Sequence, residues 1–170
     1  MVFNLQRLTT EYIESEDRIR ITGEVGPPVV IWMTHRLFSR LVPAILQWLE
    51  KQTASTSSVA ASRSGESELL QSFAQEAAVA ALKPQPSVSA NTNAVSWVVQ
   101  SLDLQGSNTH VRITFLSQPD HSAFVMLTPT QIRQWLSIVY FAWMRAQWAP
   151  QLWPDWIKGD GVEKKQIVLH

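Results

Sequence analysis

The side chains that could carry acid–base or metal chemistry are few and lie far apart in the sequence. None of the four histidines has the close spacing of a helical metal-binding pair; they are His35, His110, His121 and His170. Asp120, next to His121, makes the best candidate for a polar site. An Asp-His pair in a turn is usually solvated, however, which argues against a catalytic role.

A second group of ionisable residues clusters near one predicted turn and consists of Glu11, Glu14, Glu16 and Asp17. Paired carboxylates can bind a cation or transfer protons. Either role needs chelating spacing or an apolar pocket that raises a carboxyl pKa. The sequence shows neither feature, which favours a solvated edge.

The chain also lacks the motifs that position cofactors and nucleophiles. It contains no cysteine and only six glycines. The absence of cysteine excludes disulfides, cysteine nucleophiles and thiolate metal sites. No P-loop, dinucleotide-binding glycine pattern, HExxH or GxSxG motif occurs. We therefore predict no catalytic residue, no cofactor and no metal, and an enzyme is the least favoured of the functions considered.

Three arginines, Arg18, Arg20 and Arg112, are the candidates for a ligand-binding face. Arg20 and Arg112 occupy similar strand-like segments, IRIT at 19–22 and VRIT at 111–114. On one side of a sheet they could hold phosphates while nearby aromatic residues stack on bases. The alternative is ordinary solvent-facing alternation with acidic residues across the strands. The 14 basic and 14 acidic residues balance, so no net charge attracts nucleic acid.

The most apolar element of the chain is a predicted helix at residues 128–148. Thr128 followed by Pro129 is a helix-start signature, because the hydroxyl caps the first turn and proline needs no donor there. Apolar residues then recur at spacings of three and four: Ile132, Trp135, Leu136, Val139, Tyr140, Trp143 and Met144. Ile138 and Phe141 lie outside that stripe, so we expect the helix to be buried on most sides.

The two halves of the chain resemble each other in the order of their elements. Residues 1–52 contain three strand-like segments and a helix capped by Thr34, and residues 94–148 repeat that order. Residues 94–104 are interpreted as one strand of the second set. Pro43 is expected to kink or divide the first helix. The sequence predicts an α+β fold: internal duplication of an antiparallel βββα unit, with a helical insertion between the repeats.

The segments outside the repeats are a linker and a tail. Residues 53–93 are predicted to be a linker with an inserted helix at 66–82, whose narrow apolar side contains Leu69, Leu70, Phe73, Ala77 and Ala81. Residues 149–170 form a Trp- and Pro-rich tail expected to pack on the core. Its Trp153 and Trp156 would cover the end of the second helix. The alternative is an exposed aromatic patch that binds a partner.

Two units of an antiparallel sheet followed by a helix resemble the arrangement in the PUR and Whirly families, which bind single-stranded nucleic acid. The resemblance is one of element order. It covers the two halves without the middle segment and transfers no residues to this chain. It implies nucleic-acid binding as an alternative function, which a shared fold does not establish by itself.

The predicted function is that of a non-catalytic interaction or scaffold protein that self-associates, with a homodimer as the expected state. Candidate interface residues are Phe141, Trp143, Trp153 and Trp156, because leftover apolar surface can be covered by a second copy. The alternative is single-stranded nucleic-acid binding through the three arginines. The N-terminal stretch has no apolar signal core and no lipidation motif, so we expect a cytoplasmic protein without membrane association.

Overall fold

The computed structural model describes residues 1–56, 64–117 and 120–159. These residues form an α+β fold with eight strands and four α-helices. The strands are β1 (Val2–Asn4), β2 (Arg7–Ile13), β3 (Arg18–Glu24), β4 (Val29–Met33), β5 (Val95–Val98), β6 (Ser101–Gly106), β7 (Val111–Ser117) and β8 (His121–Leu127). The helices are α1 (His35–Thr56), α2 (Ser64–Ala80), α3 (Pro129–Arg145) and α4 (Asp155–Lys158).

The strands form two four-stranded sheets. Sheet I has the order β2-β3-β4-β5, and sheet II has the order β1-β8-β7-β6. Each sheet contains three consecutive strands paired antiparallel. Its fourth strand comes from the other half of the chain and pairs in parallel, β5 with β4 and β1 with β8. The two halves are therefore tied together through both sheets.

The prediction of one strand at residues 94–104 was wrong. β5 ends at Val98 and β6 begins at Ser101, and the two strands belong to different sheets. The physical reason is that the chain changes its hydrogen-bonding partner between them. The Val99 N–H donates to sheet I, whereas the Gln100 N–H donates to sheet II. The short strand β1 was not predicted at all.

The first helix, α1, begins as the sequence indicates and is not divided by its proline. The Thr34 hydroxyl accepts a hydrogen bond from the Leu37 N–H at 3.3 Å, which caps the first turn. Pro43 lies inside one helix that runs from His35 to Thr56, so the division considered at Pro43 does not occur. Pro43 is exposed, and the carbonyl left without a helical donor there can be hydrated.

The predicted capping of α3 is confirmed. Thr128 Oγ1 accepts from the Gln131 N–H at 3.2 Å, and Gln131 Oε1 accepts from the Thr128 N–H at 2.9 Å. This capping box fixes the start of the helix. The expected burial on most sides holds only in part, because one strip of α3 is exposed and contains Ile138, Phe141 and Met144.

One continuous apolar core includes residues from both sheets, α1, α3 and the tail. Each long helix contacts a strand of the other half. Trp135 of α3 donates its indole N–H to Thr10 Oγ1 of β2 at 3.0 Å. Trp48 of α1 donates to the Ser107 carbonyl, just after β6, at 3.2 Å. The shared core explains why neither half needs a separate one.

Candidate interaction surfaces

The helix α2 packs on the rest of the protein through its polar side. Its buried residues are Gln71, Gln75 and Ala78, of which the two glutamines are 2% and 4% exposed. The large apolar residues of this segment are exposed instead; they are Leu69, Leu70, Phe73, Val79 and Leu82. Phe73 leaves 59% of its surface in solvent. Surface helices normally have the opposite arrangement, so this exposed side needs an explanation.

Arg133 and Gln134 of α3 form hydrogen bonds with the polar side of α2. Arg133 donates to the backbone carbonyl of Gln71 at 3.4 Å and also to its side-chain Oε1. Gln75 Nε2 donates to the Arg133 carbonyl at 3.0 Å. Gln134 Nε2 donates to the Ala78 carbonyl at 2.9 Å. These bonds fix the rotation of α2 about its own axis and keep its apolar side outward.

Arg133 is a buried cation that forms no ion pair with any described residue. Its side chain is 5% exposed, and its guanidinium lies 5.3 Å from the ring centroid of Trp156. Burial lowers the pKa of Arg133 to about 10. Burying a charged group is costly unless hydrogen bonds satisfy it. The bonds to Gln71 therefore make α2 a required cover for this side chain.

Arg18 and Arg20 lie on the outer face of sheet I, alternating with buried isoleucines. Arg20 forms an ion pair with Glu11 of the neighbouring strand at 2.8 Å. On its other side it lies opposite Trp32, whose indole N–H donates to the Ser96 hydroxyl at 3.0 Å. The ion pair reduces the positive potential that Arg20 could offer to a phosphate.

Arg112 lies on the outer face of sheet II. Its guanidinium carbon is 3.9 Å from the ring centroid of Phe124, a cation–π distance. In register it lies opposite Gln105 and the exposed Met126. The structure thus places Arg20 and Arg112 in the middle of two different sheets. Of these two arginines, Arg112 combines its charge with an adjacent aromatic ring and has no described carboxylate partner, whereas Arg20 is paired with Glu11.

The tryptophans predicted as interface residues mostly pack within one chain. Trp143 and Trp153 are buried, with ring centroids 5.7 Å apart, and the Trp143 indole N–H donates to the Ala149 carbonyl at 3.1 Å. Trp156 is half-buried against Arg133. Of the four candidates, only Phe141 is largely exposed, at 49%. The buried pair is therefore not available to a partner in this structure.

The polar residues considered for catalysis contact different parts of the protein and do not form one site. The His121 ring stacks on Trp97 at a centroid distance of 5.4 Å, whereas Asp17 accepts hydrogen bonds from Tyr12 and Trp148. Asp120 accepts from the amino group of Met1 through its backbone carbonyl. Within residues 1–56, 64–117 and 120–159, no three histidine, aspartate or glutamate side chains are grouped so as to hold a metal ion.

Comparison with protein-family models, curated proteins and solved structures found no match to this chain. In the part of the chain that the structure describes, no helix has both the length and the apolar character needed to cross a membrane.

The outward side of α2 is the surface that sequence reasoning missed. The sequence pattern identifies the apolar positions of the 66–82 helix, but it does not determine whether that side of the helix faces the core. A signal was present in Gln71 and Gln75, which are four residues apart and lie on the side opposite Leu69 and Phe73. Only their hydrogen bonds to Arg133, distant in sequence, show that the glutamines are inside.

Proposed function

We propose that this protein is a non-catalytic interaction protein that self-associates through the outward side of α2. The observation that best supports the proposal is the packing of α2, with Gln71 and Gln75 inside and Leu69, Leu70 and Phe73 outside. A contiguous exposed apolar surface on a folded chain is typical of a protein–protein interaction site.

The buried polar contacts of α2 explain why its apolar side does not turn inward. Rotating the helix would remove Gln71 from Arg133 and leave a desolvated guanidinium without that acceptor. An unsatisfied buried charge costs more free energy than exposing a few apolar side chains. A second molecule that covers the apolar side removes the exposure without disturbing the polar contacts.

Sedimentation velocity across a concentration series tests the proposal. We expect the wild-type protein to form a reversible dimer and the variant Phe73→Glu to remain monomeric, because the new carboxylate would be desolvated at the interface. The matched control is Phe141→Glu, since Phe141 is a similarly exposed phenylalanine on α3. Both sites face solvent, so circular dichroism should show unchanged secondary structure in both variants.

Two outcomes of that experiment would contradict the proposal. A wild-type protein that is monomeric at every concentration would refute self-association. Dimers that persist in Phe73→Glu but dissociate in Phe141→Glu would move the interface to the exposed strip of α3, as the sequence predicted for Phe141.

A second candidate function is single-stranded nucleic-acid binding through the outer face of sheet II. The observation that favours it is the stacking of Arg112 on Phe124, which combines a cation with an aromatic surface. Arg20 is a weaker candidate because Glu11 pairs with it. The balanced charge of the whole chain gives no long-range attraction in support.

Fluorescence anisotropy with a labelled single-stranded oligonucleotide, at several salt concentrations, tests this alternative. If it is correct, Arg112→Gln weakens binding and lowers the salt dependence by about one phosphate contact, whereas Arg20→Gln has a smaller effect. Absence of binding even at low salt would remove the alternative. Equal losses in both variants would contradict the preference for sheet II.

We also infer that the two halves derive from duplication of a βββα unit. The strand orders of sheets I and II support this inference, because each contains one three-strand meander and one parallel strand from the other half. Arg20 and Arg112 both lie on the middle strand of a meander. Related sequences whose residues 7–56 and 101–145 show no correspondence would contradict it.

A further inference from the structure

We infer that the partner of α2 is the α2 helix of a second copy, packed antiparallel against its outward side, with the two-fold axis at the height of Gln75 along the helix. This inference rests on the proposed self-association and specifies its geometry. The helical turn continues past Ala80, because the Ala81 N–H donates to the Ala77 carbonyl at 3.1 Å. The helical segment therefore extends to Ala81, and Lys83 follows it by two residues.

The outward side of α2 is self-complementary in size. Leu69 and Ala81 lie at equal separations from Gln75, as do Leu70 and Ala80, and Phe73 and Ala77. All six are exposed, and at 3.6 residues per turn they span an arc of roughly 120°. In an antiparallel pair centred on Gln75, each of Leu69, Leu70 and Phe73 faces an alanine of the other copy. That is the relation that a two-fold interface requires.

A parallel pair would lack this complementarity. Leu69 would face Leu69, and Phe73 would face Phe73, so large groups would meet at one end and alanines would leave a gap at the other. Close packing disfavours both arrangements. The order of large and small residues along α2 therefore selects the antiparallel orientation.

The charges at the two ends of the segment favour the same orientation. Glu66 and Lys83 lie at nearly equal separations on either side of Gln75. An antiparallel pair brings Glu66 of one copy near Lys83 of the other, whereas a parallel pair brings equal charges together. Glu76 opposes association, because it lies one residue from the axis and would approach Glu76 of the second copy. Salt should screen that repulsion.

The size of the surface indicates a weak dimer. A single pair of helices buries less than the roughly 800 Å² per partner that is typical of stable complexes. We therefore expect a dissociation constant on the order of micromolar or weaker. Glu76→Gln should tighten it by about twofold by removing the like-charge pair. Glu50→Gln, on the exposed side of α1, is the matched control and should not change it.

Disulfide trapping tests the geometry directly, because the chain has no cysteine of its own. The variants Leu69→Cys and Ala81→Cys are prepared with tags of different mass and oxidised separately or as a mixture. In the antiparallel dimer, position 69 faces position 81 of the other copy. Two copies of position 69 are about 18 Å apart along the axis, too far for a disulfide. The mixture should give roughly tenfold more cross-linked product than either variant alone.

The possible results separate the inference from the proposed function. Excess of the mixed disulfide supports the antiparallel pair. Equal or faster cross-linking of Leu69→Cys with itself overturns it in favour of another arrangement. If sedimentation shows a wild-type dimer but the mixed disulfide does not form, the geometry is wrong and self-association stands. A wild-type monomer at all concentrations refutes self-association, and this inference with it.

Discussion

Leu5 and Val99 occupy corresponding crossings between the two sheets. The Leu5 N–H donates to the Phe124 carbonyl in sheet II at 2.8 Å, and the Val99 N–H donates to the Trp32 carbonyl in sheet I at 3.0 Å. Each residue follows a short strand that pairs in parallel with the other half of the chain. After each of them the chain returns to the sheet of its own half. The two crossings therefore connect the sheets in both directions.

The residues that follow the crossings should be sensitive to loss of their backbone N–H. Gln6 donates to the Glu24 carbonyl at 3.1 Å, and Gln100 donates to the Leu116 carbonyl at 2.9 Å. We expect Gln6→Pro or Gln100→Pro to lower the free energy of unfolding by about 1–3 kcal/mol, because proline has no N–H to donate. Urea denaturation measures this loss. Gln6→Ala and Gln100→Ala keep the N–H, and equal losses in the alanine and proline variants would contradict the role of these bonds.

Much of the fold could be predicted because the signals for it are local. Alternation of apolar residues identified β3 and β7, and the Thr34 and Thr128 caps identified the starts of α1 and α3. The division of the 94–104 segment was missed, although the alternation changes phase there, from Val95, Trp97 and Val99 to Leu102 and Leu104. It depends on where the N–H groups of Val99 and Gln100 find carbonyl partners, which are distant in sequence.

The candidate surface was harder to predict than the fold. Local periodicity identifies both sides of α2 but does not decide which side is buried. The decision depends on Arg133, which is 62 residues from Gln71 and satisfies its guanidinium there. Likewise, Trp143 and Trp153 were predicted to be interface residues because they are large and aromatic. In the structure they pack against each other and are buried within the same chain.

Gly106 should not tolerate a side chain, because it lies against the indole of Trp48. A Cβ atom there would lie 2.5 Å from the Trp48 ring, which also donates to the Ser107 carbonyl. We expect Gly106→Ala to displace that ring and lower the free energy of unfolding by about 1–3 kcal/mol, measured by urea denaturation.

Gly65 provides the control for that substitution. A Cβ atom at Gly65 would meet no heavy atom within 4 Å. Gly65 lies in α2, where alanine is the better helix former, so Gly65→Ala should stabilise the protein by up to about 1 kcal/mol. Equal effects at the two glycines would show that backbone conformation, and not contact with Trp48, decides the result.

Arg133 and Gln71 should depend on each other energetically. Gln71→Leu removes an acceptor from the buried guanidinium, and we expect it to lower the free energy of unfolding by about 1–3 kcal/mol. In the double variant Arg133→Met/Gln71→Leu, apolar groups replace both partners, so the total loss should be about 1 kcal/mol or more below the sum of the two single losses. Urea denaturation of the four proteins measures the coupling, and strictly additive losses would contradict it.

The contribution of Arg133 to the stability of the fold depends on pH. Burial lowers its pKa from the ordinary arginine value to about 10, so folding disfavours the charged form. Because the folded pKa is lowered, the stability that this difference contributes is present at a pH above the pKa of the unfolded chain. It is lost as the pH falls through about 10. At neutral pH the full cost of burying the charge is present, and Arg133→Met removes that cost together with the hydrogen bonds to Gln71, so the single loss described above is the net of the two. Arg36→Met on exposed α1 is the control and should change stability by less than about 0.5 kcal/mol.

Asp17 should control the ionisation of Tyr12. Asp17 Oδ1 accepts from the Tyr12 hydroxyl at 2.9 Å and from the Trp148 indole N–H at 3.4 Å. The hydrogen bond to Asp17 raises the pKa of Tyr12 above its ordinary value of 10.0, and burial and the negative charges of Asp17 and Glu14 add to it. Because the folded pKa is raised, the stability it contributes is present below pH 10.0 and is lost as pH rises through the folded value.

Asp17→Asn should therefore lower the pKa of Tyr12 toward its ordinary value, because the acceptor loses its negative charge. Asparagine is a suitable replacement since residue 17 has a φ of 47°, a left-handed conformation that asparagine tolerates. Ultraviolet absorbance titration measures the tyrosine ionisation, and Tyr12→Phe assigns the signal. Asp155→Asn, which removes an exposed carboxylate on α4, should leave the titration of Tyr12 in place. An unchanged Tyr12 titration in Asp17→Asn would show that burial, and not the carboxylate, holds the proton on the phenol.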